Sequence, residues 1–147
     1  MAIAAGERIT AARLNRLQPV DYHAVASASL TRTTATYADI TGATVTFTTT
    51  TANASYRVIA VFDCAVGTSS ATTDMNGRID VDGVAGTGLA KHQMDNLDRD
   101  SVTLTEKGTL ASAGSHTIKL QGALSAAAGS GTFQTTTNIL VIITEVA

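Results

Sequence analysis

Tryptophan is absent, proline and cysteine occur once each, and phenylalanine and tyrosine together make up only 4% of the 147 residues. With so few large rings, the core has to be filled mainly by Val, Ile, Leu and Ala. A single cysteine excludes an intramolecular disulfide, and Cys64, set in YRVIAVFDCAV, is expected to be a small buried apolar side chain rather than a nucleophile. Long apolar runs are missing too: ILVII, near the C-terminal end, is five residues where a membrane helix needs about 20. The opening MAIAAGER has no positively charged region followed by a hydrophobic stretch, so no export signal is read and the chain is expected to stay soluble in a cytoplasm until it meets its partner. Excess positive charge is also lacking. The net charge is -2, which argues against a general nucleic-acid binder, because phosphate neutralisation needs a clustered basic surface.

Threonine and alanine are abundant, each about one residue in six. Many β-branched residues and a single proline favour strands over helices. From Tyr22 onward the apolar period is two. Ala43, Val45 and Phe47 alternate with threonines, and Tyr56, Val58, Ala60, Phe62, Cys64 and Val66 share one face of a run whose other face, with Ile59 and Val61, is also partly apolar. Ile79 and Val81 oppose Arg78, Asp80 and Asp82, with Asp82-Gly83 reading as a turn. Val102 and Leu104 point inward, as do His116, Ile118, Leu120 and Leu124. Counting Tyr22 to Leu30 and a short piece at Tyr37 to Ile40, this predicts an all-β antiparallel β-sandwich or jelly roll of about eight strands, preceded by one short N-terminal helix. Residues 1–20 form the anchor segment and residues 21–147 the sandwich domain. The segments at 48–53, 67–74 and 125–132 read as small-residue loops. The last run is apolar on both faces from Ile139 to Ile143. It is therefore either sandwiched between layers or a subunit contact through Ile139, Val141 and Ile143.

The leader GERITAARLNRLQP stands apart from the rest. Arg8, Arg13 and Arg16 face a single acid, Glu7, whereas the remainder carries seven basic residues against eleven acidic ones. Thr10 is a good N-cap, Ala11 to Leu17 are helix formers, Pro19 closes the segment, and Ile9 with Leu14 fits a hydrophobic staple. Two turns of helix are not stable in water, so the segment must be ordered by packing, either on its own domain or on another chain. The docking reading assigns that role to Ile9, Arg13, Leu14, Arg16 and Leu17.

Nothing in the sequence assembles into a catalytic or cofactor motif. His23, His92 and His116 lie far apart without metal-ligand spacing, and Ser115 and His116 point to opposite faces of a strand. No phosphate loop or nucleophile elbow appears. Asp74, Asn76, Asp80, Asp82, Asp95, Asp98 and Asp100 are hard oxygen donors in expected loops, yet they lack the EF-hand order and read mainly as turn and solubility residues. No enzyme, no cofactor and no metal is therefore expected. A host-surface glycan-binding or calcium-binding adhesion module is the alternative that those acids keep open.

The opening also resembles the start of small virion proteins of tailed phages, especially those infecting actinobacteria, in which a G-x-x-I/V-T-A-x-x-L/M-N motif precedes a β-sandwich. The matching positions are Gly6, Ile9, Thr10, Ala11, Leu14 and Asn15. AGSHTIKLQ at 113–121 and the terminal ITEVA are similar to the β-sandwich heads of such proteins. The resemblance implies a non-enzymatic accessory virion protein of the capsid-decoration, head-fibre or minor-tail type, commonly a homotrimer. Its partners would be phage capsid or tail proteins, with the host cell surface as a further one, and neither nucleic acid nor membrane.

Overall fold

The period-two alternation becomes strands along most of the chain in the computed structural model, which describes residues 10–146. One helix, α1 (Ala11–Arg16), precedes β1 (Val20–Val25), β2 (Leu30–Arg32), β3 (Ala38–Thr49), β4 (Ala54–Thr68), β5 (Asp74–Val81), β6 (Val84–Ala85), β7 (Ala90–Gln93), β8 (Arg99–Leu110), β9 (Gly114–Leu124), β10 (Ser130–Phe133) and β11 (Asn138–Thr144). All the pairings are antiparallel. One sheet runs β1-β11-β4-β8, with β10 pairing β4 beyond the end of β11 and β2 pairing β10; the other runs β3-β9-β5, with β6 and β7 sharing the far edge of β5. The principal strands thus stack as β1-β11-β4-β8 on β3-β9-β5-β7, the eight-stranded double-sheet arrangement of a jelly roll. The protein is an all-β sandwich with one short N-terminal helix.

Several expected boundaries moved, each for a local reason. Tyr22 to Leu30 is divided between β1 and β2. The piece near Tyr37 joins the alternating run after it into β3, across a bulge between Asp39 and Thr44. Gly42 sits in that bulge with φ +87°, pressed on Ser27 so closely that a Cβ would lie 2.4 Å from the Ser27 nitrogen. The C-terminal run is broken at 134–137, where the Gln134 N–H donates to the Asp63 carbonyl and the Thr137 N–H to the Gln134 carbonyl. The expected Asp82-Gly83 turn is present, both residues having positive φ as a type I′ hairpin turn requires.

Rings and glycines lock the sheets together. Phe62 on β4 and Phe133 on β10 are fully buried and meet edge to face at 6.1 Å between centroids. Each ring lies over a glycine of the opposite sheet, Phe62 over Gly77 and Phe133 over Gly122. Those glycines are directly paired neighbours on β5 and β9. Around this centre pack Ile40, Val58, Met75, Ile79, Met94, Ile118, Leu120, Leu124, Ile139 and Val141. Few rings suffice at this centre because each occupies space that a missing side chain vacates.

The registers also set the polarity of the molecule. The start of β4 pairs with the ends of β8 and β11, so the turn at 50–53, the leader and the C-terminal segment gather at one end. The connections at 69–73, 94–98 and 125–129 gather at the other.

Candidate docking surfaces

Short-range chemistry forms the leader helix. The Arg13 N–H donates to Thr10 Oγ1 at 3.3 Å, capping the first turn, and the Leu17 N–H closes the last turn on the Arg13 and Leu14 carbonyls. No residue of α1 is buried, and Leu14 is 49% exposed. Leu17 is half-buried and Arg16 is exposed. Asn15, Arg16 and Gln18 line one side of a cavity of about 230 Å³ whose other wall includes Tyr22, Ile143 and Glu145. Glu145 ties this end together: its carboxylate accepts the Thr50 N–H at 2.9 Å and the Thr50 hydroxyl, and those bonds outweigh burial in holding its pKa below the ordinary value. The helix therefore rests on the rim of the sandwich with Leu14 turned outward. Of the expected docking residues, Arg13, Leu14, Arg16 and Leu17 are placed together here, and Ile9 lies outside the described residues.

The doubly apolar last strand divides cleanly between its two faces. Ile139, Val141 and Ile143, expected as a subunit contact, are 0%, 0% and 4% exposed and belong to the core. They are already covered within their own chain by the opposite sheet, so they have no face left for another subunit. The outward side of the same strand carries Leu140 and Ile142, which lie beside Ile59 and Val61 of β4 in the register Leu140–Ile59 and Asn138–Val61. All four are only half-buried, so an apolar stripe runs down the outside of the sheet. Its flanks are polar: Asp21 and His23 on β1, and Thr103, Thr105 and Lys107 on β8. The signal in the sequence was the second apolar face of both strands; which face looked outward depended on the sheet order.

The acids of the expected loops serve mostly in the fold. Asp80 and Asn76 are buried in β5, and Asp80 Oδ1 accepts the Gly83 N–H of the hairpin turn at 3.0 Å. Asp82 takes the His116 ring nitrogen at 2.7 Å and the Thr117 N–H at 2.8 Å, and these bonds outweigh burial and hold its carboxyl below the usual range. Asp98 meets His92 at 3.0 Å. Among the described residues no group of three or more His, Cys, Asp or Glu is placed to hold a metal ion.

Two polar assemblies escaped sequence reasoning because their members are distant along the chain. Arg99 forks onto the buried Asp63 at 2.8 and 2.7 Å, and Thr136 adds a hydroxyl; the guanidinium is the main reason the Asp63 carboxyl titrates low. On the second sheet, Lys119 and Gln121 bind Asp39 at 2.8 and 2.7 Å, Arg78 donates to Gln121, and the Arg78 guanidinium stacks 3.8 Å from the centre of the Tyr37 ring.

No protein family matches the chain in sequence, and no curated protein does. In structure it is similar to VP2 of infectious bursal disease virus in a subviral particle, with 12% identity over 88% of this chain and 38% of that one and a TM-score of 0.52. It is similar to the Eiger TNF protein from S. frugiperda, with 9% identity over 88% of this chain and 94% of that one and a TM-score of 0.52. It also matches latent PorU from Porphyromonas gingivalis, with 10% identity over 85% of this chain and a TM-score of 0.49, but spans only 12% of that protein. At such identities the common property is the fold, a β-sandwich found in the VP2 protein of a subviral particle among others.

Proposed function

We propose that this chain is a non-enzymatic accessory structural protein of a virion, of the capsid-decoration, head-fibre or minor-tail type in a tailed phage. It docks through its N-terminal segment and is presented as a homotrimer, made in the host cytoplasm and carried on the particle. One observation carries the reading: a helix too short to be stable alone stands on the rim of the sandwich with none of its residues buried and Leu14 outward. Leu14, 49% exposed, and Leu17, already half-buried, together offer at most about 1.5–3 kcal/mol of further apolar burial before ordering costs. That is weak for one chain, whereas three linked copies would strengthen attachment by about two to four orders of magnitude. The likeness in fold to VP2 of a subviral particle and the resemblance of the leader to phage virion proteins support the same reading.

Deleting residues 2–19 tests it. The remaining domain is expected to stay folded and soluble but to be missing from purified particles. Normal incorporation of the deleted chain would defeat the docking role.

A further inference from the structure

We propose that copies of this chain meet on the outward face of the β1-β11-β4-β8 sheet, with the Asp21 rim of one copy set against the Arg57–Lys107 rim of the next. The inference rests on the multivalent part of the function proposed above and assigns it a surface. Reading across the strands at one level gives Asp21, Ile142, Arg57 and Lys107. The next level gives His23, Leu140, Ile59 and Thr105. An acid therefore marks one rim, two cations mark the other, and an apolar stripe lies between them.

The cations are the unusual part. Arg57 and Lys107 are directly opposite in register, an arrangement in which like charges repel. Neither makes a side-chain hydrogen bond or ion pair among the described residues, and neither does Asp21. Adjacent to the cations lies a groove of about 500 Å³ whose lining includes Pro19, Arg57, Lys107 and Ile142. A carboxylate entering it would relieve the repulsion while its carrier covered Ile142.

The occupant is a second copy because one face holds both halves of the complementary pair at the same level. A neighbour displaced sideways brings its β1 rim, with Asp21, onto the cationic rim and covers Ile142 beside it. Its own cationic rim stays open for a further copy. Such a head-to-tail contact closes into a ring when the rotation between copies allows it.

The test is sedimentation and native mass spectrometry of the purified full-length chain. The wild type is expected to be a closed oligomer and Ile142→Asp a folded monomer. Asp21→Lys should weaken assembly about five- to tenfold per reversed contact. Adding Arg57→Asp and Lys107→Asp to Asp21→Lys should restore it. These charge reversals lie at exposed positions, so they decide the matter even if Ile142→Asp fails to fold. A monomeric wild type, assembly indifferent to Asp21→Lys, or a reversed-charge set that does not reassemble would each overturn the proposal. No particle enters the measurement, so such a failure would leave leader-mediated docking standing, and a failure of the leader deletion would leave this interface standing.

Discussion

One methyl group at Gly122 tests how the two sheets are held. A Cβ there would lie 2.3 Å from Cε2 and 2.5 Å from Cδ2 of Phe133, where carbon atoms at rest sit about 3.5–4.0 Å apart. The ring has little room to retreat: Phe62 stands edge-on beside it, and Phe62 is itself seated on Gly77, where a Cβ would come within 2.4 Å. Two effects compete. Gly122 has no positive φ, so replacement by alanine would by itself stabilise by about 0.4–1 kcal/mol through the unfolded chain. The overlap acts the other way, and with both rings pinned it should reach the upper part of the range for overpacking, about 3 kcal/mol. Overpacking should win. Gly122→Ala is therefore expected to melt about 4–10 °C below the wild type by calorimetry, with a matching fall in the urea midpoint. Combining it with Phe133→Leu should cost less than the two changes added separately, because the shorter side chain vacates the collision. A Gly122→Ala protein as stable as the wild type, or a strictly additive pair, would refute the ring-over-glycine account of the core.

Acid should weaken the fold through Asp63. Its carboxyl titrates below the unfolded value, so its stabilising share is complete above about pH 4 and is lost as pH falls through the lower folded-state value. Arg99→Ala, by removing the main cause of that shift, should flatten the acid limb of a stability-against-pH curve; an unchanged limb would count against the pairing. Glu106 has the opposite sign. Burial raises its pKa and Oε2 has no hydrogen-bond partner, so the charged form burdens the fold at neutral pH and Glu106→Gln should raise the melting temperature there. That gain should vanish below about pH 4, where the carboxyl is protonated in both states. Cys64, its thiol pushed up to about 12 chiefly by burial, should resist alkylation in the native protein and react only as fast as the chain opens. Rapid labelling under native conditions would contradict its burial.

Much of the fold was legible because period-two patterning is a local property. Val45 and Phe47, Phe62 and Cys64, and Ile118 and Leu120 all face inward as their alternation required. The Asp82-Gly83 turn was equally readable, since Asp-Gly suits the type I′ hairpin turn, which needs two left-handed residues. The strand breaks were harder. Gln134 and Thr137 leave the ladder because Asp63, more than seventy residues earlier, offers its backbone to them, and no local pattern contains that information. The partner of Arg99 was hidden for the same reason. At the candidate docking surface, the leader helix could be read from Thr10 and its leucines. The outward stripe could be read only as an ambiguity: Ile139 to Ile143 showed two apolar faces, and the strand order decided that Leu140 and Ile142, not Ile139, Val141 and Ile143, look out of the molecule.

Because the leader and the C-terminal segment share one end, the fold behaves as a mast. β4 alone runs 15 residues, roughly 50 Å, from that end to the other. The connections at 69–73, 94–98 and 125–129 are held out at the tip, away from the leader. They are the natural places to splice in a foreign peptide, which would ride clear of the proposed attachment and of the sheet face proposed to lie between copies.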